Sequence, residues 1–514
     1  MRLADLLAGL SRVADLGFGL RSGEALRSCV LATRLARSLD LSDDDVRAAL
    51  YTALLHHVGC TGYAHETALA FGDELVLNAA AGRVKEGDTR DVFATFLPML
   101  TRGRPPVERA QLVVTAITRG SRFGKAFTTA ACEVGRDAAR RLHLPDEVQR
   151  SVYHVYELWQ GGGVPAGLAR DDIPVASRIA RLTGIAVLFD TIGGADVAVD
   201  AVRQRGGGML DPQMASHFAA RAEVLLGELT ATDPRSAVLE AEPVPVISIQ
   251  DGELAEVAAV FADLADLKSP YMHGHSSGVA ALARGAGEKL RLSQASVVDL
   301  EMAGLLHDVG RVAVPNTVWE KPGILSAHEW EQVRLHAYHS ERILAGSQRL
   351  APLAPMVGMH HERLDGRGYH RGCRSADLSM STRVLAAADA YQAMTQRRPH
   401  RRALTREQAE QCLLADVRDY VLDADAVHAV LVAAGHHAVP ARRELPAGLS
   451  DREVEVLGLV ADGCSNAQIA QRLVISRRTA EHHVQHIYTK IGVSSRAAAA
   501  MFAMEHHLLA RKDG

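Results

Sequence analysis

The chain of 514 residues has few aromatic side chains and no long uncharged apolar run. Phe, Trp and Tyr make up only 4% of it, so Leu, Val and Ala must supply most of the packing in any core. The stretch Leu182–Phe189 is among the longest apolar runs, and it falls well short of the roughly 20 residues that a membrane-spanning helix needs. The N-terminus lacks the charged and apolar regions of a signal peptide. We therefore expect a cytoplasmic protein without a membrane partner.

Cysteine usage argues against a disulfide-stabilised secreted protein, and the net charge argues against a chain that binds polyanions over its whole surface. The six cysteines are scattered and form no Cys-x-x-Cys pair, which is typical of a reducing compartment. The net charge is −4, so any binding of nucleic acid must depend on a local basic surface. At this length we expect three or four domains.

The stretch 304–310 places His307 and Asp308 side by side at the end of an apolar run. Neighbouring residues on a helix point about 100° apart, so such a pair can face two adjacent metal ions. Alone, the pair also fits an ordinary buried histidine beside an acid. Further candidate ligands recur at spacings that suit successive helices of one bundle and their connections: His275, His336, His360, His361 and Asp389. Nitrogen and oxygen donors suit Mn, Fe or Zn, and the lack of cysteine argues against a structural zinc site.

This pattern resembles the HD superfamily of metal phosphohydrolases. The stretch 360–370 reads His-His-Glu-Arg-Leu-Asp-Gly-Arg-Gly-Tyr-His and is similar to the HHExxDGxGYP signature of the HD-GYP subfamily, the hydrolases of cyclic di-GMP. The resemblance runs from about Leu267 to Val430. It implies two divalent transition-metal ions, with Mn or Fe favoured and Zn as an alternative. The implied ligands are His275, His307, Asp308, His336, His360, His361 and Asp389.

The same resemblance implies catalytic and substrate-binding residues. Asp308 would bridge the metal ions, and Arg311 stands where the family has Lys. The implied substrate-binding residues are Arg363, Asp365, Gly366, Gly368, Tyr369, Arg398 and Arg401. Three departures from the family pattern leave the substrate open: Arg311, His370 in place of proline, and Gln392 in place of an acid. Hydrolysis of cyclic di-GMP is the favoured interpretation, beside a non-catalytic nucleotide sensor and a phosphohydrolase of another nucleotide.

The first half of the chain contains an internal echo of the second half. Residues 53–59 align with residues 304–310 at an offset of 251, and residues 157–165 align with residues 362–370 at an offset of 205. We therefore predict a first copy and a second copy of one helical fold. Of the ligand positions, only that of His307 keeps its residue, as His56. The others are replaced: Glu24 for His275, His57 for Asp308, Val155 and Tyr156 for His360 and His361, and Gly184 for Asp389. The first copy would be a sensor, dimerisation or pseudo-enzyme domain, or a purely structural partner for the second half.

The last part of the chain predicts two short helices joined by a tight turn, inside a four-helix unit. Its residues 449–509 resemble the LuxR-type DNA-binding domain. Between Arg472 and Arg496 there are five basic residues and one acid, Glu481, which suits contact with phosphates. The resemblance implies a homodimer on double-stranded DNA. The implied DNA-binding residues are Ser465, Asn466, Ser476, Arg477, Arg478, Thr479, Glu481, His482 and Lys490.

Together these features predict an all-α chain with two HD-type bundles and a C-terminal helix-turn-helix. The predicted parts are a degenerate HD-GYP-like domain at 1–228, a linker at 229–254, a metal-bearing HD-GYP-like domain at 255–436, a linker at 437–447 and a LuxR-type domain at 448–511. The predicted function is a transcriptional regulator that carries a metal-dependent phosphodiesterase.

Overall fold

A computed structural model of the chain describes residues 1–506 and 508, except for residues 87, 228, 230–232, 437–445, 462 and 494. The side chains of residues 89, 251, 497, 501, 504 and 505 are not described either. No β-strand occurs in this described part, so the prediction of an all-α chain is confirmed. None of its helices combines the length and the apolar character needed to cross a bilayer.

The first copy consists of helices α1 to α13 and short 3-10 or π-helical turns. Polar side chains set several of the starts: Ser42 accepts a hydrogen bond from the backbone N–H of Asp45 at 3.2 Å, and Asp73 accepts one from Leu75 at 2.9 Å. The helices are α1 Leu3–Phe18, α2 Glu24–Ser38, α3 Asp43–Leu55, α4 Ala64–Phe71, α5 Glu74–Ala81, α6 Thr89–Asp91, α7 Leu97–Thr101, α8 Pro106–Arg141, α9 Asp146–Tyr153, α10 Val175–Gly193, α11 Ala195–Arg205, α12 Pro212–Gly227 and α13 Pro234–Ala241.

The second copy consists of helices α14 to α22. Ser326 and Glu329 form a capping box at the start of α18, and Ser379 caps α20. A 3-10 helix, Val309–Ala313, connects α16 to α17. The helices are α14 Leu254–Asp266, α15 His275–Lys289, α16 Gln294–Leu306, α17 Asn316–Trp319, α18 Ala327–Leu344, α19 Ala354–Gly358, α20 Met380–Thr395, α21 Arg406–Arg418 and α22 Ala424–Ala433.

The helices of the two copies follow each other in the same order and at the predicted offsets. Helices α14 and α15 begin at an offset of 251 from α1 and α2, and α20 begins at an offset of 205 from α10. Helices α3 and α16 both end just before the aligned pair, at Leu55 and Leu306. The two helical bundles predicted from the sequence echo are therefore present.

One continuous apolar core runs through both copies. Helix α1 packs against α2 and α3 of its own copy and against α18 and the 3-10 helix Val309–Ala313 of the second copy. Gly9 allows this close contact, because a Cβ there would lie 2.6 Å from the Cβ of Ser347. Leu, Val and Ala fill most of the core, as the scarcity of aromatics predicts. Burying each leucine contributes about 1.5–3 kcal/mol, so this interface should not open freely.

The predicted linker at 229–254 contains helix α13. Asp233 caps this helix by accepting a hydrogen bond from Ser236, and the helix packs on α1 and α2. Much of that stretch is therefore folded onto the first copy. The second predicted linker, 437–447, lies outside the described residues up to 445.

The described residues from 446 onward form four α-helices and a core of their own. The helices are α23 Asp451–Ala461, α24 Asn466–Arg472, α25 Arg477–Ile491 and α26 Arg496–Glu505. Leu457, Ile469 and Ile487 are fully buried in this core and join three of the four helices. A tight turn of residues 473–476 joins α24 to α25, as expected for two short helices of a helix-turn-helix.

Candidate active site

The seven predicted metal ligands come together from five helices or helix ends of the second copy. His275 is the first residue of α15, and His307 and Asp308 directly follow α16. The remaining ligands are His336 in α18, His360 and His361 after α19, and Asp389 in α20. All are buried except His361, which is half-buried.

Asp308 lies between two groups of histidines. Its Oδ1 is 3.3 Å from Nε2 of His336 and 3.8 Å from Nε2 of His360. Its Oδ2 is 3.7 Å from Nε2 of His275 and 3.6 Å from Nε2 of His307. One carboxylate oxygen therefore faces each group, which is the arrangement that a ligand bridging two cations requires.

Asp389 closes the opposite side of the cluster. Its Oδ1 lies 3.2 Å from Nε2 of His275 and 3.8 Å from Nε2 of His307. Its Oδ2 lies 3.7 Å from Nδ1 of His361. Asp389 thus contacts histidines from three separate chain segments.

The backbone fixes the direction of three of these imidazoles. His307, His336 and His360 each donate from Nδ1 to the carbonyl oxygen three residues earlier, at 2.8 Å for His307 and 2.6 Å for His360. Such a bond places the proton on Nδ1 and leaves the Nε2 lone pair free as a metal ligand. All three Nε2 atoms point to Asp308 or Asp389.

Two buried atoms at the centre have no hydrogen-bond partner among the described residues, Nε2 of His307 and Oδ1 of Asp308. Leaving such atoms unpaired costs about 1–3 kcal/mol each, so a partner is expected. Three sets of three donors lie with their ligand atoms within 4.8 Å of one another, and together they draw on all seven predicted residues. The donor chemistry and the unpaired atoms both fit divalent transition metals.

The protonation states also suit metal binding. Burial lowers the pKa of His361 to about 4, although Asp389 opposes this shift. Burial likewise lowers the pKa of His360 well below its usual value. Burial would raise the pKa of Asp308, but His307 and Arg311 hold it well below its usual range. Neutral imidazoles beside an ionised carboxylate are the ligand forms that bind a metal.

Arg311 is held beside Asp308 by a tryptophan. Its Nη1 lies 3.5 Å from Oδ2 of Asp308, and its Cζ lies 3.6 Å from the ring centroid of Trp319. Trp319 also donates from Nε1 to the carbonyl of Arg311 at 3.2 Å. Sequence reasoning missed Trp319, although it is one of only three tryptophans in a chain poor in aromatics.

Gln396 was missed as well. Its Oε1 accepts a hydrogen bond from Nδ1 of His275 at 3.0 Å, which turns Nε2 of that ring toward the carboxylates. Gln396 directly follows helix α20, and no motif marks it.

The loop after His361 depends on two glycines. A Cβ at Gly368 would lie 2.4 Å from Cα of Glu362, so a side chain cannot fit there. Gly366 has φ +75°, in the left-handed region that favours glycine. The loop brings the ring of Tyr369 to 4.7 Å from that of His361, between centroids. Of the predicted substrate-binding residues, Tyr369 thus lies against the cluster of predicted ligands.

The predicted substrate-binding arginines have different surroundings. Arg398 lies at the cluster, with Nη2 3.4 Å from Nδ1 of His275, and burial together with the charge of Arg311 lowers its pKa to about 10. Arg401 instead donates to backbone carbonyls at the end of α20, at 3.0 Å for Met394.

Two further predicted substrate-binding residues pair with each other. Nη2 of Arg363 donates to Oδ2 of Asp365 at 3.0 Å, and Oδ1 of Asp365 accepts from the backbone N–H of Arg367 at 2.9 Å. In this structure both residues shape the loop.

Helix α25 presents most of the predicted DNA-binding residues. Ser476 caps it by accepting from the N–H of Thr479 at 3.0 Å, and Ala480, Val484 and Ile487 bury its inner face. The opposite face exposes Arg477, Arg478, Thr479, Glu481 and His482.

The other predicted DNA-binding residues have partners within the domain. Ser465 caps α24, and Asn466 pairs with Arg496. Lys490 donates to the carboxylate of Glu453 at 2.6 Å and to the carbonyl of Gly448 at 3.0 Å.

Comparison with known families agrees with both resemblances predicted from the sequence, that of the second copy and that of the C-terminal part. Residues 259–425 match the HD domain, and residues 447–503 match the bacterial regulatory proteins of the luxR family. The chain therefore contains an HD domain and a LuxR-type domain at these residues. The two predicted resemblances are therefore confirmed.

The chain has curated relatives that are named as phosphodiesterases. The chain is 29% identical to a 3'3'-cGAMP-specific phosphodiesterase of Vibrio cholerae over 412 residues, which cover 79% of this chain and 89% of the relative. It is 32% identical to a cyclic di-GMP phosphodiesterase of Thermotoga maritima over 158 residues, 30% of this chain and 43% of the relative. These relatives confirm the predicted class of enzyme, a metal-dependent phosphodiesterase.

A solved structure shares the arrangement of both copies. The crystal structure of a cyclic GMP-AMP specific phosphodiesterase of V. cholerae has a TM-score of 0.59 to this chain, with 26% identity, and the match covers 85% of this chain and 99% of the other. Since the HD domain itself spans only residues 259–425, the likeness extends into the first copy.

In the first copy, three of the residues aligned with the predicted ligands, His56, His57 and Tyr156, contact one another. The rings of His56 and His57 stack at 4.1 Å, and His57 contacts the hydroxyl of Tyr156 at 3.2 Å. Arg181, aligned with Ala386 of the HD domain, lies with its Cζ 4.7 Å from the centroid of the Tyr156 ring. Burial and the charge of Arg181 lower the pKa of His57 to about 3. A fixed cation and aromatic rings thus occupy this centre.

Proposed function

We propose that the HD domain hydrolyses a phosphodiester bond of a cyclic dinucleotide, and that this reaction regulates DNA binding by the LuxR-type domain. The observation that carries the proposal is the position of Asp308, whose two carboxylate oxygens face two separate groups of buried histidines. The names of the relatives supply the substrate class, since 3'3'-cGAMP and cyclic di-GMP are both cyclic dinucleotides.

Two divalent ions, Mn or Fe before Zn, would be held by the seven ligands described above. When bound, such ions supply a hydroxide at neutral pH and polarise the phosphoryl oxygens. Asp308 and Asp389 then balance the charge of the ions, and the Nδ1 bonds of the histidines keep the ligand geometry fixed.

Arg311 would bind the scissile phosphate. Its guanidinium lies at the rim of the cluster and stacks on the ring of Trp319, which restricts its orientation. Two parallel N–H groups suit a phosphate, which makes Arg a strong partner for this group. Because Arg remains protonated at neutral pH, Arg311 stabilises negative charge and does not protonate the leaving oxygen. Arg398 adds a second positive charge on the side of His275.

Turnover of cyclic dinucleotides tests the proposal directly. The purified full-length chain should convert cyclic di-GMP or 3'3'-cGAMP into a linear dinucleotide or mononucleotides with Mn or Fe(II), as separated by chromatography. Asp308→Asn keeps the side-chain volume and should abolish the product. Tight binding of either nucleotide without turnover would favour the alternative of a nucleotide sensor, for which Arg311, His370 and Gln392 are the motivating departures. Turnover of a different nucleotide alone would favour a phosphohydrolase with another substrate.

We further propose that the LuxR-type domain binds double-stranded DNA as a homodimer, which places the protein in the cytoplasm. The exposed face of α25 supports this, since Arg477 and Arg478 project at its start. Arg478→Ala should reduce the slope of log affinity against log salt by about one unit, because one phosphate contact is lost. Fluorescence anisotropy with duplex DNA measures that slope. Arg418→Ala, an exposed arginine of α21, serves as the matched control. An unchanged slope for Arg478→Ala would mean that Arg478 does not contact phosphate.

A further inference from the structure

Two polar side chains of the first copy bind one short segment of the second copy, residues 309–320. This 309–320 segment directly follows Asp308 and contains Arg311 and Trp319. Glu74, the first residue of α5, is only 1% exposed, which is rare for a carboxylate. His65 in α4 is the other side chain from the first copy.

Glu74 binds the beginning of α17. Its Oε1 and Oε2 accept hydrogen bonds from the backbone N–H of Asn316 at 2.9 and 3.1 Å. Its Oε1 also lies 3.0 Å from Nζ of Lys268, and both side chains are buried. Lys268 in turn donates to the carbonyl of Val312 at 2.6 Å. One buried ion pair therefore holds the segment at two points, Val312 and Asn316.

His65 binds the other end of α17. Its Nδ1 lies 2.7 Å from Oε2 of Glu320, while Oε1 of Glu320 accepts from the hydroxyl of Ser269 at 2.7 Å. Glu320 directly follows Trp319, so both ends of this short helix are held by residues of the first copy. A helix of four residues has little stability of its own, and its position must come from such contacts.

Helix α17 is connected to the predicted metal ligands through Trp319 and Arg311. Trp319 stacks on Arg311 at 3.6 Å, and Arg311 lies 3.5 Å from Asp308. A shift of α17 would move the Trp319 ring and release the guanidinium of Arg311 from its plane. The contacts of Glu74 and His65 thus act on Arg311 through Trp319.

We infer that Glu74 and His65 are positioning residues through which the first copy completes the active site of the second. The first copy would then be required for phosphate binding even though it has lost its own metal ligands. This inference rests on the proposed function for its biological substrate, but the contacts themselves do not depend on which phosphodiester is cleaved.

The test uses the full-length chain and the generic phosphodiester bis(p-nitrophenyl) phosphate. Glu74→Gln combined with Lys268→Met removes both buried charges, because removing one alone would leave the other unpaired. His65→Ala is a milder variant at a partly exposed position. Both should raise KM by about tenfold, since a small displacement of a binding group has an effect of that order or more. Metal content, measured by mass spectrometry, should remain that of the unmodified chain.

Two controls separate positioning from general loosening. Arg141→Ala breaks another ion pair between the copies, with Nη2 of Arg141 2.7 Å from Oδ2 of Asp263, but that pair joins α8 to α14. It should leave KM unchanged. His65→Gln retains an N–H donor for Glu320 and should restore most of the KM that His65→Ala loses.

Hydrogen exchange gives a readout that needs no activity. Amides of residues 309–320 should exchange at least several-fold faster in the double variant and in His65→Ala, while those of α20 should not change. Exchange and KM equal to those of the unmodified chain or of Arg141→Ala would overturn the inference. If the unmodified chain cleaves bis(p-nitrophenyl) phosphate but no cyclic dinucleotide, the proposed function fails while this test still stands. If the double variant does not fold, His65→Ala decides.

Discussion

The two copies share their helices but differ in what occupies the centre of each bundle. In the second copy, Asp308 and Asp389 face the Nε2 atoms of four buried histidines, His275, His307, His336 and His360. In the first copy, the guanidinium of Arg181 lies over the ring of Tyr156, which aligns with the predicted ligand His361. A guanidinium there supplies a fixed positive charge, so that bundle needs no metal ion to fill its centre. The helical scaffold evidently does not depend on the metals.

A glycine in the first copy reinforces this difference. Gly184 aligns with Asp389, and a Cβ at Gly184 would lie 3.1 Å from the ring of His56. The imidazole therefore occupies space that a carboxylate would need. His56 keeps the residue type of His307 but not its surroundings, and both of its ring nitrogens lack hydrogen-bond partners among the described residues.

Both copies retain a hydrogen bond that closes the same loop, residues 157–166 in the first copy and residues 362–371 in the second. Glu362 accepts a hydrogen bond from the backbone N–H of Arg371 at 2.6 Å, and Glu157 accepts one from Ala166 at 2.7 Å. The same offset of 205 relates the two donors and the two acceptors, so the tie is the same in both copies. Contacts that maintain the fold have thus persisted where the metal ligands have not.

The largest expected effect comes from changing the aligned pair Asp308 and His57 in the same way. Asp308→Asn should lower phosphodiester hydrolysis by about a thousandfold or more, because the metal ions provide several kcal/mol of transition-state stabilisation. His57→Asn should lower it by less than about threefold, since that ring stacks between Phe18 and His56 and lies in the copy that has lost the other ligands. Initial rates at saturating metal measure both. Similar losses in the two variants would mean that the first copy also takes part in the chemistry.

Much of this contrast could be predicted from the sequence. His and Asp residues at intervals of one helix and one connection predict a shared centre, and the structure brings all seven ligands together there. The echo between residues 53–59 and 304–310 likewise predicts two bundles. These features can be predicted from a sequence because helical geometry depends on residues close together in the chain, and because the motif has many matching positions within a short stretch.

Other parts of the site depend on tertiary contacts that leave no local pattern. Gln396 orients His275 from a distant part of the chain, and Glu74 contacts Asn316 over a separation of 242. Arg363 and Asp365 stand in a motif that implies substrate binding, yet they pair with each other, since the sharp loop turns them together. Only the packed structure distinguishes such roles.

An arginine introduced into the second copy tests whether a fixed cation at this position excludes metal. Ala386 aligns with Arg181 and is buried on α20, one turn before Asp389. Ala386→Arg should place a guanidinium among the ligands and lower metal affinity by about 10- to 100-fold, the range found when groups around a metal site are changed. Metal content after dialysis at fixed free Mn measures the effect. Ala386→Met adds similar length without charge and is the control.

The opposite change should not create a metal site. Arg181→Ala removes the cation of the first copy, but His57 and Gly184 offer no carboxylate where the HD domain has Asp308 and Asp389. Metal content should therefore stay the same in this variant. A gain of one ion per chain would show that Arg181 alone prevents binding in the first copy.

The two cores should also differ in how their stability depends on metal. Ions that bind only the folded state add about 2.7 kcal/mol when their free concentration is 100 times the dissociation constant, and a chelator removes that contribution. Because one apolar core runs through both copies, they should unfold in one transition whose Tm falls on chelation, and calorimetry can measure it. The LuxR-type domain has its own core, so its transition should not shift and provides an internal control. Asp308→Asn should abolish the dependence on chelator and His57→Asn should retain it. A chelator effect that survives Asp308→Asn would place the stabilising ion outside the HD centre.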